Sequence, residues 1–379
     1  MMLKLRPNYI LFAFALTAIV YFGRFGFSRL FGESFYLVDV LLTIFLFVLL
    51  AFFSSFSVGK KNLLVALFFF FWFSYIVICY PFYGVGEYAL EKTIRVALIF
   101  FVSIFLIGSY PKDEEMVRVG FLWAAILALV LAGIFVLVAF RSGFVRQGLA
   151  GSGSITAARI FANGFFMLAL SGFVRKSSHL LIIIIFVAVA VFLSGSRGVF
   201  GSLVLASFIY IVLGFEPRKK VFSIFFVSFL CAGFYYFRDE IPYINRYFIL
   251  LDGGGESVDV RSYYASVILG DKIAALGNGL GSFHLKYFGY PDFAYPHNIF
   301  LEVYSEMGWV GLYSFSAFLV LSLVLLYKDK IYFSWFVFSI FCALFSGDLY
   351  DNRMVFLVVA LFFYDRCGRI LGSLHKGQI

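Results

Sequence analysis

The sequence predicts an all-α integral membrane protein of about twelve transmembrane helices, with one large outer loop that holds short helices of its own. Three observations carry this. Hydrophobic residues make up 63% of the chain and charged residues only 13%, against about 25% charged in soluble domains. Apolar runs of about 15–22 residues recur throughout, the length that crosses a hydrocarbon core roughly 30 Å thick. In lipid such runs must be helices, because every backbone group needs a partner within its own segment. Connections between runs are short except over residues 238–300.

Taken in order, the runs begin near residues 8, 36, 62, 93, 119, 159, 180, 199, 221, 303, 331 and 350. Nine spans therefore fill 1–237, the loop occupies 238–300, and three more spans with an inner C-terminus fill 301–379. The first run follows Lys4 and Arg6. No small-residue cleavage site stands after Val20, so it reads as a retained helix. Orientation follows the basic residues in the short connections. With the N-terminus inside, ten of the 13 lysines fall on the inner side, whereas 11 of the 17 arginines fall outside or at outer span ends. Topology alone predicts no such split. Arginine binds phosphate through a planar, permanently charged fork, although an arginine can also snorkel at the interface.

The net charge of +9 belongs with inner loops and needs no nucleic acid. No basic stripe with aromatic stacking platforms accompanies it. Cys79, Cys231, Cys342 and Cys367 are scattered singly, with neither metal nor disulfide spacing. No internal repeat suggests a two-halved transporter.

The outer loop carries DGGGES (Asp252–Ser257), VDVRSYYASVIL (Val258–Leu269) and LGNGLGSF (Leu276–Phe283), and ends in Tyr-Pro-His-Asn. The middle piece has helical spacing, with Val260, Tyr263, Tyr264, Val267 and Ile268 on an apolar face. The glycine run is not followed by Lys-Ser/Thr and does not sit between a strand and a helix, so it is no nucleotide fingerprint. It reads as a tight turn that could offer backbone N–H groups to an anion.

Charged groups gather at the outer rim. Arg197, in Ser-Gly-Ser-Arg-Gly, lies where two spans leave almost no loop. A charge held there is costly and points to function. The competing reading is an interfacial arginine bonded to carbonyls. Asp348, Asp351 and Arg353 crowd the turn before the last span and read as ion pairs pinning helix ends. Pro296 ends the loop, and Asn298 is a helix N-cap candidate. A helix starting there places Glu302 and Glu306 on one face. Glu302 suits the helix dipole, while Glu306 lies deeper and is expected to pair with an outer-rim arginine or to orient a neighbouring polar group, not to act as the base. His297, at the mouth, is a residue type able to take a proton near neutral pH.

Tyr-Pro-His-Asn-x-x-Leu-Glu followed by Glu-x-Gly-x-x-Gly, the preceding Gly-x-Gly-x-Gly-x-Phe, Ser-x-Ser-Arg ending at Arg197, and Arg261 in the loop helix together resemble the O-antigen polymerase (Wzy-type) and O-antigen ligase superfamily of bacterial membrane glycosyltransferases. The detailed likeness covers about residues 190–315. It implies a GT-C-like fold in the bacterial inner membrane with the site facing the periplasm. It implies undecaprenyl-diphosphate-linked oligosaccharides as substrates, the bilayer as surroundings and a chain-length regulator as a further partner. Carried over, Arg197 and Arg261 hold the diphosphate and His297 helps activate the acceptor. Asn298, Glu302, Glu306 and Arg353 then play supporting parts.

That chemistry agrees with the residues. Attack of a sugar hydroxyl on the anomeric carbon expels a diphosphate whose growing charge arginines can stabilise, and the hydroxyl needs a positioned base. No metal-ligand spacing appears, so no metal or other cofactor is expected. Polymerase is the first expectation, with the lipid-linked polymer passed to another lipid-linked repeat unit. Ligase, which passes the polymer to the lipid A core, is the alternative. A lipid-linked sugar flippase would instead place charges along a central pathway between two similar halves.

Overall fold

The computed structural model describes residues 7–21, 35–56, 60–83, 87–141, 153–174, 177–214, 256–289 and 295–375, with residues 221 and 236. Among them the elements run α1 (Pro7–Tyr21), α2 (Phe35–Phe52), β1 (Ser54–Phe56), α3 (Lys60–Tyr83), α4 (Glu87–Gly108), β2 (Ser109–Pro111), α5 (Glu114–Arg141), α6 (Ser154–Ser171), α7 (Ser177–Leu193), α8 (Arg197–Gly214), α9 (Glu256–Gly270), α10 (Phe283–Phe288), α11 (Ile299–Leu326), α12 (Lys330–Phe345) and α13 (Met354–His375). Most of the expected span starts fall inside a helix. The start near 350 sits in the turn before α13, and the span from 221 lies outside the described residues.

α5, α6, α8 and α11 are long and apolar enough to cross a membrane unaided. Shorter apolar stretches cover Pro7–Ala18, Asn62–Ile78, His179–Leu193 and Lys330–Phe345. Large apolar side chains also face outward: Leu137, Ile182, Val320 and Val324 are each more than 60% exposed. So much outward apolar surface is what a bundle presents to lipid. The fold is that of an all-α membrane protein whose only sheet, among the described residues, is the β1–β2 pair, antiparallel with Ser54 opposite Pro111.

Small residues bring helices together. A Cβ on Gly164 of α6 would stand 2.4 Å from the Ala128 Cβ of α5, and one on Gly198 of α8 would stand 2.7 Å from the Phe345 Cβ of α12. Such contacts are how helices associate where lipid supplies no hydrophobic drive. Phe69, Trp72, Phe100, Phe318 and Phe356 form an aromatic centre between α3, α4, α11 and α13, with Phe100 and Phe356 edge to face at 5.0 Å.

Polar groups cluster at the two ends. At one end the Tyr332 hydroxyl donates to Asp365 at 3.2 Å, Ser54 meets Tyr364 at 2.8 Å, and Arg366 pairs with Asp329. At the other, Arg159 donates to the carbonyls of Cys342 at 2.9 Å and Ser346 at 2.7 Å. A guanidinium there satisfies carbonyls that a helix end leaves bare. Arg353 donates to the Val20 carbonyl at 3.1 Å. Bonding to carbonyls, the competing reading for Arg197, is what Arg159 and Arg353 do.

Candidate functional site

The α7–α8 connection is a tight turn. Gly195 takes a positive φ of 71°, and its N–H donates to the Phe192 carbonyl at 2.9 Å. Ser194 Oγ donates to the Val191 carbonyl at 2.6 Å. Arg197 thus becomes the first residue of α8, held near Phe345 and Ser346 by the Gly198 contact.

α9 does form, but its packed face is not quite the expected one. Ile268 is buried and Tyr264 packs on Phe283 and Phe288, while Val260 and Tyr263 are exposed. The inward stripe is Arg261, Tyr264, Ala265 and Ile268, at helical spacing. Arg261 is thereby turned inward together with apolar residues.

Asn298 N-caps α11. Its side chain accepts from the N–H of Phe300 at 2.9 Å and of Leu301 at 3.3 Å. His297 precedes it with φ of 58°, a left-handed conformation that non-glycine residues rarely adopt. The His297 ring lies 4.6 Å from Tyr295, nearly edge-on, and 6.5 Å from Tyr264, nearly parallel. Its Nδ1 is buried and, among the described residues, has no hydrogen-bond partner. Held backbone and flanking rings give the imidazole a fixed direction.

These segments line one cavity of about 560 Å³. Arg197, Arg261, His297, Asn298, Ser196 and Ser346 supply its polar wall, and Ile155, Val199, Ala265 and Phe345 its apolar one. Burial, aided by the Arg261 charge, pushes His297 down to about 4, so the ring is neutral at physiological pH. Burial also lowers Arg261 from its ordinary value, though a guanidinium stays charged regardless. Tyr295, whose hydroxyl shares a hydrogen bond with Ser346, is pushed up to about 12 by burial and then by Asp351. The cavity offers two cationic forks beside one neutral imidazole: an anion could be held with a proton acceptor close by.

Glu302, Glu306 and Arg353 do not line this cavity. Arg353 lies over the Tyr350 ring, 5.0 Å from its centre, besides bonding Val20. Among the described residues Glu306 pairs with a lysine and not with an arginine: Lys92 Nζ of α4 stands 2.8 and 2.7 Å from its two oxygens, and 2.6 Å from Glu302 Oε1. Glu302 also accepts from the Leu349 N–H at 3.0 Å. It is therefore a buried hydrogen-bonding partner of Lys92 and of the 346–353 turn, and no mere dipole residue. Lys92 escaped sequence reasoning, since a lysine in a span carries no local pattern; its place among the three outer lysines was the available signal.

The glycine run folds back onto α11. It closes on a break in α11, where Gly308 takes φ of 65°. Asn278 N donates to the Ser305 carbonyl at 3.1 Å, Gly279 N to the Glu306 carbonyl at 2.8 Å, and Val310 N to the Ala275 carbonyl at 3.1 Å. A Cβ on Gly277 would stand 2.4 Å from the Glu306 backbone. The run's Gly281 N–H donates to the Glu306 carboxylate.

Against known proteins, residues 181–316 match the family model described as O-Antigen ligase (Wzy_C). That stretch includes Arg197, Arg261, His297, Glu302 and Glu306. No curated protein and no solved structure matches the chain.

Proposed function

From a membrane protein whose residues 181–316 carry the O-antigen ligase family region, we propose a periplasm-facing, metal-independent glycosyltransferase of the inner membrane that extends a surface polysaccharide. On this reading the chain crosses the membrane about twelve times. The donor is an undecaprenyl-diphosphate-linked glycan and the acceptor a second lipid-linked repeat unit. A chain-length regulator is its partner.

The observation that carries the reading is the meeting of Arg197, Arg261 and His297 on one cavity. Arg197 and Arg261 grip the diphosphate. The acceptor hydroxyl loses its proton to His297 as its oxygen bonds to the anomeric carbon. The bond from that carbon to the diphosphate oxygen breaks, and the leaving group takes the electron pair and its charge between the two guanidinium groups. The His297 ring by itself is a weak base because it is buried beside Arg261. A bound diphosphate neutralises that arginine, so the imidazole gains basicity when the donor is in place.

Purified protein with lipid-linked repeat units tests this directly. Elongated lipid-linked glycan is expected with wild type and in the presence of EDTA. Its absence from active-donor mixtures, or loss in EDTA, overturns the reading. Deleting the gene separates polymerase from ligase: core plus one repeat unit on a lipopolysaccharide gel marks a polymerase, bare core with accumulated lipid-linked polymer a ligase.

A further inference from the structure

Lys92, Glu302 and Glu306 form a buried trio whose side chains are each at most 1% exposed. One ammonium faces two carboxyl groups. If both were ionised, the trio would hold an uncompensated charge away from water, which is far costlier than a paired one. Asp348 of the 346–353 turn and Tyr88 of α4 also face it. Asp348 accepts from the Asp351 N–H at 2.7 Å and from the Tyr88 hydroxyl at 3.4 Å, and the Tyr88 ring lies 6.0 Å from Lys92 Nζ. Neither supplies a second positive charge.

The donors around the two carboxyl groups are unequal. Both oxygens of Glu306 accept from Lys92, and Gly281 N–H adds another bond. Glu302 accepts on Oε1 alone, from Lys92 and Leu349 N–H. Its Oε2 is buried and, among the described residues, has no partner. A bare carboxylate oxygen in the interior loses its hydration without return. Glu306 is the group furnished to be an ion, and Glu302 the group furnished to be an acid.

The trio also touches what frames the cavity. Glu302 follows Leu301 and lies just over a helical turn beyond His297. Its bond to Leu349 ties α11 to the turn that starts at Ser346, a cavity wall. Glu306 is two residues before the Gly308 break, where the glycine loop closes on α11.

The geometry points to a one-proton lock: Lys92 and Glu306 are the ion pair, Glu302 is a carboxylic acid protonated on Oε2, and together they position the His297 end of α11. The positioning half rests on the function proposed above; the charge assignment does not.

Membrane-integrated protein level tests the assignment. Lys92→Met leaves Glu306 as a buried lone anion, and accumulation is expected to collapse. Adding Glu306→Gln makes the trio neutral and is expected to restore it, whereas adding Glu302→Gln to Lys92→Met is not. The reverse pattern, rescue by Glu302→Gln, overturns the assignment, as does equal rescue by both or by neither. The infrared carbonyl band of a carboxylic acid in the reconstituted wild type should diminish in Glu302→Gln; an unchanged band also counts against it. In the folded Lys92→Met/Glu306→Gln protein, kcat is expected to fall at least tenfold with the donor KM little changed. Wild-type turnover in that variant would leave the trio purely structural. A wild type with no turnover at all would instead fault the proposed function.

Discussion

His297 is defined more by its surroundings than by its residue type. An exposed imidazole titrates near 6.5, whereas burial and Arg261 hold this one at about 4. The sign follows: the unfolded chain binds the proton first as pH falls, so the stability owed to the neutral ring is lost between about 6.5 and 4. The acid limb of kcat/KM, which reports the free enzyme, is expected near pH 4; a limb near 6.5 would contradict the buried geometry. Removing a general base typically costs about 10²–10⁴-fold. His297→Ala is expected to lose turnover on that scale at normal abundance. His297→Gln separates roles, because it can hydrogen-bond but cannot take a proton at neutral pH. Near-normal turnover in it would leave only positioning. Arg197→Lys and Arg261→Lys keep charge and lose the fork. Each is expected to cost about 10²-fold in kcat, the scale of losing one donor to a developing anion. Full activity in both would remove the clamp.

At the scale of elements, the broken helix organises the site. α11 cannot run straight through Gly308, and the loop from Ala274 to Gly281 fills the break with its own backbone bonds. Tyr75 of α3 adds donations to the carbonyls of Leu276 at 2.6 Å and Met307 at 3.1 Å. This clasp carries α9 and α10 onto the first turns of α11 and so brings Arg261 and His297 to one cavity. A Cβ on Gly308 would stand 2.3 Å from the Ala275 carbonyl, at a φ that disfavours side chains. Gly308→Ala is therefore expected to open the clasp and impair turnover, with faster proteolysis of the 256–289 segment while the bundle still inserts. Normal turnover with an unchanged cleavage pattern would show that the break tolerates a side chain and that the clasp does not set the site.

At the scale of the whole molecule, polar groups sit at both ends and an aromatic centre between. Lys328 and Arg366 lie at the Tyr364 end, while Leu269 and Tyr263, exposed on α9, lie at the His297 end. The lysine bias assigns the first end to the inside. In spheroplasts of a cysteine-free variant, a cysteine at Leu269 is expected to react with an impermeant thiol reagent and one at Lys328 to stay silent. The opposite labelling would invert the orientation and move the cavity to the inner face.

The sequence by itself determined the class of the molecule, because composition and run length decide whether a chain can be soluble. It also set the Asn298 cap and the tight turn at Arg197, since capping and glycine turns act over a few residues. The family likeness lay in the same local stretches, around Arg197, Arg261 and His297. Only the tertiary structure decided what each charge does. Arg159, Arg197, Arg261 and Arg353 are alike as letters, yet two bond helix carbonyls and two reach one cavity. Lys92 meets Glu306 across 214 residues of chain. Such pairings depend on which helix faces which. In a membrane bundle that is settled by small-residue contacts and buried charge matching between segments far apart in sequence, which no local pattern records.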